Sequence, residues 1–227
     1  MPPRKGNAIF DMDGLLINSE PVWQSVEQAV LKAQYGLHLS SAELARYAGT
    51  STSYVSLALA RDYPDHSIDH IHLAFCILEE MHRRIEEVPL MPGARELLEV
   101  MREGDIPVAI ASSSPMSLID AVIQTHQLPV YITASATEVP YPKPHPAVFL
   151  LAAQRLGAEA WDCIVWEDSL NGVIAAKSAG MGVVAVPEAD HPTPEKFAIA
   201  DLIHTSLNES LNTETYFSMF GMAWMPA

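Results

Sequence analysis

Asp11 and Asp13 stand one residue apart in Ile9-Phe10-Asp11-Met12-Asp13-Gly14-Leu15-Leu16, directly after a short apolar run and directly before a glycine. Alternate residues of an extended chain face the same way, so the two carboxylates can share a side while Met12 points away, and Gly14 permits a sharp turn. Taken alone, this is a candidate catalytic pair or an acidic turn after a strand, since Asp and Gly are ordinary turn residues. A second acidic pair, Glu167-Asp168, follows the apolar run Cys163-Ile164-Val165-Trp166 and precedes Ser169, Asn171 and Gly172. Four carboxylates gathered at one sheet edge repel one another, and burial raises their pKa values; a bound cation removes the conflict. All-oxygen ligands suit Mg²⁺, whereas no His or Cys cluster here has the spacing that Zn²⁺ requires.

Two further stretches offer what an anionic ligand needs. Ile106-Pro107-Val108-Ala109-Ile110-Ala111 reads as another core strand and ends in Ser112-Ser113-Ser114-Pro115, before a helical pattern. Hydroxyls and backbone N–H groups at a helix N-terminus make an anion site, and Pro115 suits the first helical position. A plain serine N-cap is the alternative for this turn by itself. Lys143 lies in Tyr141-Pro142-Lys143-Pro144-His145-Pro146. Its flanking prolines hold the loop extended and aim the ammonium at a fixed point. An ordinary surface lysine in a proline-rich turn is the other reading.

These residues need strands to carry them. Residues 7–10 read as a short buried strand with Asp11 at its carboxyl end, the side on which open parallel sheets bind ligands. From Leu90-Met91-Pro92-Gly93 onward, helix and strand alternate: helix Ala94 to Arg102, the strand before Ser112, helix Met116 to His126, then a strand near Val130 to Thr133. Helix Ala147 to Leu156, the strand before Glu167, helix Val173 to Ala179 and strand Val183 to Val186 continue the series. The alternation predicts a doubly wound, Rossmann-like α/β core with a parallel sheet covered on both faces. Between Asn18 and Val88 the pattern is helical instead, with about four helices and apolar stripes at helical spacing. Those stripes are Val22/Trp23, Val26, Val30, Ala33 and Ile71, Ala74/Phe75, Leu78, Met81/His82, Ile85. The expected domains are an α/β core of residues 1–17 and 89–227 and an inserted helical cap of residues 18–88. Past Pro187 the chain reads as a loop from Glu188 to Pro194, a last short strand within Phe197 to Ile203, and an apolar tail from Tyr216 to Trp224.

The order Asp11-x-Asp13-Gly14, Ser112 after the next core strand, Lys143 before a proline, and Glu167-Asp168 after a later strand resembles the haloacid dehalogenase superfamily. The resemblance is to its phosphoglucomutase-like and sugar-phosphatase branch, which carries a helical cap after the first strand. The stretches Phe10 to Ile17, Ala111 to Pro115, Lys143 to Pro146 and Glu167 to Gly172 are most similar to hexose- and hexitol-phosphate phosphatases of the 2-deoxyglucose-6-phosphatase type. This likeness spans the chain from about Ala8 to Pro187, and it implies a Mg²⁺-dependent phosphatase acting on a small sugar phosphate monoester. In that reading Asp11 attacks phosphorus and forms an aspartyl-phosphate, while Asp13 protonates the leaving oxygen and then activates water. Ser112, the Ser113 backbone and Lys143 hold the phosphate together with Asp11 and Asp13. Mg²⁺ is held by Asp11, Asp13 and Asp168, and by Glu167 through water. The cap excludes water, and its loop Gly49 to Tyr54 either touches the sugar or is simply a turn.

Departures from the family pattern sharpen the expectation. Asn18 stands where the family usually has an Asp, which removes one negative charge at the junction between core and cap. The loop Gly49-Thr50-Ser51-Thr52 has no arginine to grip a second phosphate, which a mutase requires. Lys32, the sole lysine between Asn18 and Val88, lies in a helix and not in the cap loop that supplies the imine nucleophile of phosphonate-cleaving relatives. Hydrolysis is therefore favoured over two alternatives, a β-phosphoglucomutase-like mutase and a non-catalytic sugar-phosphate-binding protein.

Composition sets the remaining expectations. A chain of 227 residues buries a substantial core, and its net charge of −15 disfavours nonspecific binding to nucleic acid or anionic membranes. The phosphate must then be attracted locally. Cys76 and Cys163, far apart in sequence, fit reduced thiols of a cytosolic protein. No apolar run approaches the roughly 20 residues that span a bilayer, and Met1-Pro2-Pro3-Arg4-Lys5-Gly6 is no signal peptide. A cytoplasmic monomer or weak homodimer, with a small phosphate ester as its ligand, is expected.

Overall fold

The computed structural model describes residues 4–47, 50–189, 191, 193–211 and 222–223. The chain divides into two compact units, one of Met1–Asn18 with Leu90–Ala227 and one of Ser19–Pro89.

The first unit is built on six parallel strands: β1 (Asn7–Phe10), β2 (Val108–Ser112), β3 (Ile132–Ser135), β4 (Cys163–Glu167), β5 (Gly182–Ala185) and β6 (Leu202–Ile203). Their order is β3-β2-β1-β4-β5-β6. All four residues of β1 and all five of β4 are buried, which is why both read as unbroken apolar runs rather than as alternating ones. Register then decides what meets at the sheet edge. Phe10 pairs with Ile110 on one side and Trp166 on the other, and Ser112 pairs with Ser135. Asp11 extends the ladder one step, its N–H donating to the Trp166 carbonyl at 3.0 Å. Asp11, Ser112 and Glu167 therefore come to one carboxyl edge, on either side of the point where the strand order reverses.

Alternation sends Ile9 and Val165 to one face, where they join Phe149, Val183 and Phe197 in a buried cluster. Phe10 and Trp166, one residue before the two acids, stack with ring centroids 4.8 Å apart. Trp166 Nε1 also donates to Ser210 Oγ at 2.9 Å. Such a stack contributes about 0.5–1.5 kcal/mol beyond its burial and holds the ends of β1 and β4 side by side. The chain leaves and re-enters this unit through paired segments: Ile17 and Leu90 form an antiparallel bridge, and the Met91 N–H donates to the Leu16 carbonyl at 2.9 Å.

The second unit contains α1 (Glu20–Tyr35), α2 (Ser41–Leu44), α3 (Thr52–Asp62) and α4 (His70–Arg83). Caps set their starts. Ser40 and Glu43 form a reciprocal capping box on α2, and Asp69 accepts from the Ile71 and His72 N–H groups of α4. On α1 the buried positions are Val22, Val26, Val30 and Leu31, while Ala33 is exposed. On α4 the packed face is Leu73, Ile77 and Met81, and Ile71 and Phe75 of the expected stripe are 72% and 60% exposed. Apolar residues surround most of α4, so periodicity alone does not choose the face; packing on α1 and α3 does.

The helices of the first unit are α5 (Ala94–Glu103), α6 (Met116–His126), α7 (Ala147–Leu156) and α8 (Leu170–Ser178). Pro115 is the N-cap of α6 in extended conformation, one residue before the helical position expected for it. Leu170 opens α8 three residues ahead of expectation, because the Ser169 hydroxyl caps the Gly172 N–H at 3.1 Å. Within Phe197 to Ile203 the chain forms a 3₁₀ turn before the two residues of β6. Arg4–Lys5 pairs with Met222–Ala223; the rest of the expected apolar tail, and Gly49, lie outside the described residues. No helix among the described residues is long and apolar enough to cross a membrane.

Candidate active site

Three carboxylates and one ammonium meet at the carboxyl edge. Oxygens of Asp11, Glu167 and Asp168 all lie within 4.8 Å of one another. Lys143 Nζ donates to Asp11 Oδ1 at 2.5 Å, to Glu167 Oε1 at 2.7 Å and to the Ala111 carbonyl at 3.2 Å, and it stands 4.6 Å from the Phe149 ring centroid. Only 5% of the lysine side chain is exposed, so it is not the surface residue of the alternative reading. The Lys143–Pro144 peptide bond is cis.

Glu167 has its other oxygen occupied as well, with Oε2 accepting from the Ser169 N–H at 2.7 Å and the Ser169 hydroxyl at 2.9 Å. Asp168 is packed over the turn that follows Asp13. Gly14 has φ +82, and a Cβ built there would fall 2.2 Å from Asp168 Oδ2. Only glycine satisfies both the left-handed backbone and that approach.

The electrostatics follow from burial. Asp11 is pushed up to about 7, first by desolvation, with Lys143 opposing and Glu167 adding to the rise. Burial, then Glu167 and Asp11, raise Asp168 well above the usual carboxylate range. Burial alone would lower the Lys143 ammonium, but Asp11 and Glu167 outweigh it and raise it. Lys143 neutralises one of three crowded carboxylates, which leaves a charge deficit that one divalent cation would cancel. An all-oxygen cluster with that deficit fits a hard divalent ion.

Asp13 takes a different position. Its Oδ2 accepts from the Ser114 hydroxyl at 2.7 Å and the Ser112 hydroxyl at 3.3 Å. Among the described residues its Oδ2 thus meets the serine turn, while the carboxylates of Asp11, Glu167 and Asp168 form the cluster. Ser112 Oγ in turn accepts from the Ser114 N–H at 2.9 Å. Ser113 is half-buried between these two residues. Ser114 and Ser169 stand in the motifs read from the sequence, but no role was assigned to either. The i+2 spacing of Ser114 from Ser112, and the place of Ser169 as the first residue after the acidic pair, were the available signals.

A doubly wound parallel sheet with an acid at the end of its first strand, a serine turn at the end of the second, and a buried lysine beside a later acidic pair defines a class of hydrolase. The chain belongs to the haloacid dehalogenase-like hydrolases, whose family pattern it matches over residues 8–186. Hexitol phosphatase B of Escherichia coli K12 is 37% identical over 207 residues, which are 89% of this chain and 92% of that protein. Phosphate-bound CbbY from Rhodobacter sphaeroides has a TM-score of 0.81 at 22% identity, covering 91% of this chain and 96% of that one. Beta-phosphoglucomutase from Clostridium difficile has a TM-score of 0.78 at 20% identity, covering 96% and 97%. The two structural likenesses are likenesses of fold.

Proposed function

We propose that this chain is a Mg²⁺-dependent phosphatase that hydrolyses a small sugar phosphate, a hexose or hexitol ester, through an aspartyl-phosphate on Asp11. The observation that carries the reading is the Lys143 bridge from Asp11 to Glu167 beside Asp168, with Asp13, two positions after Asp11, held by the serine turn. The likeness to hexitol phosphatase B supports the substrate class.

Asp11 attacks phosphorus through one carboxylate oxygen while Lys143 pairs with the other and offsets its charge. Asp13 gives a proton to the leaving sugar oxygen and later takes one from the water that hydrolyses the aspartyl-phosphate. The Ser112 hydroxyl and the Ser113 N–H hold phosphate oxygens. Asp11, Asp13 and Asp168 would hold Mg²⁺, with Glu167 acting through water, and the ion would supply positive charge at the phosphoryl oxygens. The helical unit is, in this reading, the inserted cap.

A panel of phosphate monoesters assayed with and without Mg²⁺ tests the reading. Mg²⁺-dependent phosphate release from hexose or hexitol 6-phosphates is expected to exceed conversion of a hexose 1-phosphate to its 6-phosphate, and Asp11→Asn should fall to near background. Isomer exchange without phosphate release would make the chain a mutase; binding without turnover would make it a sensor.

A further inference from the structure

Ser114 is 7% exposed and has been given no part in the reaction so far. Its hydroxyl has one short bond, to Asp13 Oδ2 at 2.7 Å. The Ser112 hydroxyl reaches the same oxygen from 3.3 Å, at the long end of hydrogen-bonding distance. Ser112 Oγ is also pinned from behind by the Ser114 N–H. The two serines are therefore not equivalent. A phosphate oxygen competes easily for the Ser112 proton, whereas the shorter Ser114 bond to a carboxylate persists.

The serine turn is itself fixed. Ser135, fully buried at the end of β3, donates its hydroxyl to the Ser114 carbonyl at 2.7 Å. Ser135 is held by the Thr137 N–H at 3.1 Å, and its own N–H donates to Glu138 at 3.0 Å. Glu138 in turn takes both terminal nitrogens of Arg155 on α7, at 2.9 and 2.7 Å. A chain of contacts from α7 through β3 thus ends on the carboxylate of Asp13.

We infer that Ser114 is the positioning residue of Asp13: its hydroxyl holds Oδ2 so that Oδ1 is the atom at which Asp13 carries and delivers its proton. The inference rests on the phosphatase reading, because it gives Ser114 a role only through the proton transfer assigned to Asp13. Ser112 is released to the phosphate while Ser114 stays on Asp13, so one turn of chain serves the substrate with its first hydroxyl and the acid with its third.

Leaving-group chemistry tests this. A sugar alkoxide must be protonated as it leaves, whereas 4-nitrophenolate needs little help. Single-turnover cleavage of a hexose 6-phosphate and the pre-steady-state burst of 4-nitrophenol from its phosphate ester are measured for the wild type, Ser114→Ala, Asp13→Asn and the double variant. Ser114→Ala is expected to slow sugar-phosphate cleavage by about 10–100-fold, as misplacement of a general acid does, and the nitrophenol burst by less than about 3-fold. Adding Ser114→Ala to Asp13→Asn should cost nothing further, and binding of inorganic phosphate to Ser114→Ala should be unchanged within about 3-fold by calorimetry. If Asp13→Asn keeps its sugar-phosphate turnover, the proton-transfer reading falls and the inference with it. If Asp13→Asn loses turnover but Ser114→Ala slows both esters equally, loses phosphate binding, or adds to the double variant, the assignment of Ser114 alone is overturned.

Discussion

Glu167 is fully buried, yet each of its oxygens is occupied: Oε1 by Lys143, Oε2 by the Ser169 N–H and hydroxyl. A buried carboxylate is tolerable only when its lone pairs are met in this way. Gly172 makes room for it, since a Cβ there would fall 1.6 Å from Oε1. Gly172→Ala should therefore push Glu167 off Lys143, lowering thermal stability by about 2–4 kcal/mol and phosphatase turnover at least about 10-fold. Melting curves and Mg²⁺-dependent rates check this, and a variant with wild-type values in both would show that the glutamate shifts without cost. The cysteines give a second residue-scale contrast. Burial pushes the Cys163 thiol up to about 12, while Cys76 is half-buried beside His72. Limited alkylation of the native protein near pH 8 should label Cys76 and spare Cys163, as peptide mass mapping would reveal. The acids, Ser112 and Lys143 were legible because strand-end acids and a proline-flanked lysine stand out against their apolar neighbours. Ser114 was not, because its role depends on a bond to a residue 101 positions away.

Among the elements, α1 carries a titratable group whose burial has a measurable consequence. Burial, and secondarily Glu20, push Glu27 up to about 7. The unfolded carboxyl ionises near 4.5, so between about pH 4.5 and 7 the folded chain binds more protons than the unfolded one. Its contribution to stability falls as pH rises through that window and is at its lowest above it. Glu27→Gln should thus be more stable than the wild type at pH 8, on the order of 1–2 kcal/mol, and the difference should vanish near pH 4. Denaturant midpoints at the two pH values measure it; a constant difference would mean that ionisation of Glu27 is not what burial opposes. Helix α4 shows where element-level reading stops. Its length follows from the Asp69 cap and the apolar content, but its buried face, Leu73, Ile77 and Met81, follows from two neighbouring helices.

For the molecule as a whole, a net charge of −15 repels an anionic substrate, and three acids crowd one edge. Cation binding should relieve both. Saturating Mg²⁺, at about 100 times its Kd, should add roughly 2.7 kcal/mol, which for a chain of this size would raise Tm by on the order of 5–10 °C. Asp168→Asn should match or exceed the wild type in Tm without the metal, because one repelling charge is gone, and should gain far less when Mg²⁺ is added. Calorimetric scans of both proteins decide the matter: an undiminished Mg²⁺ shift in Asp168→Asn would remove Asp168 from the ion's ligands.

The sequence by itself determined the doubly wound core, the helical character of residues between Asn18 and Val88, and the acids, serine turn and lysine of the site. Each of these is local: a buried strand is an apolar run, a strand end is where polar residues begin, and helix and strand announce themselves by period. Only the tertiary structure decided that Lys143 is buried between Asp11 and Glu167, that Asp13 meets the Ser114 hydroxyl, and that Leu73 rather than Ile71 faces inward on α4. Those outcomes rest on distances between residues remote in sequence, and strand register and helix packing set such distances, which no local pattern encodes.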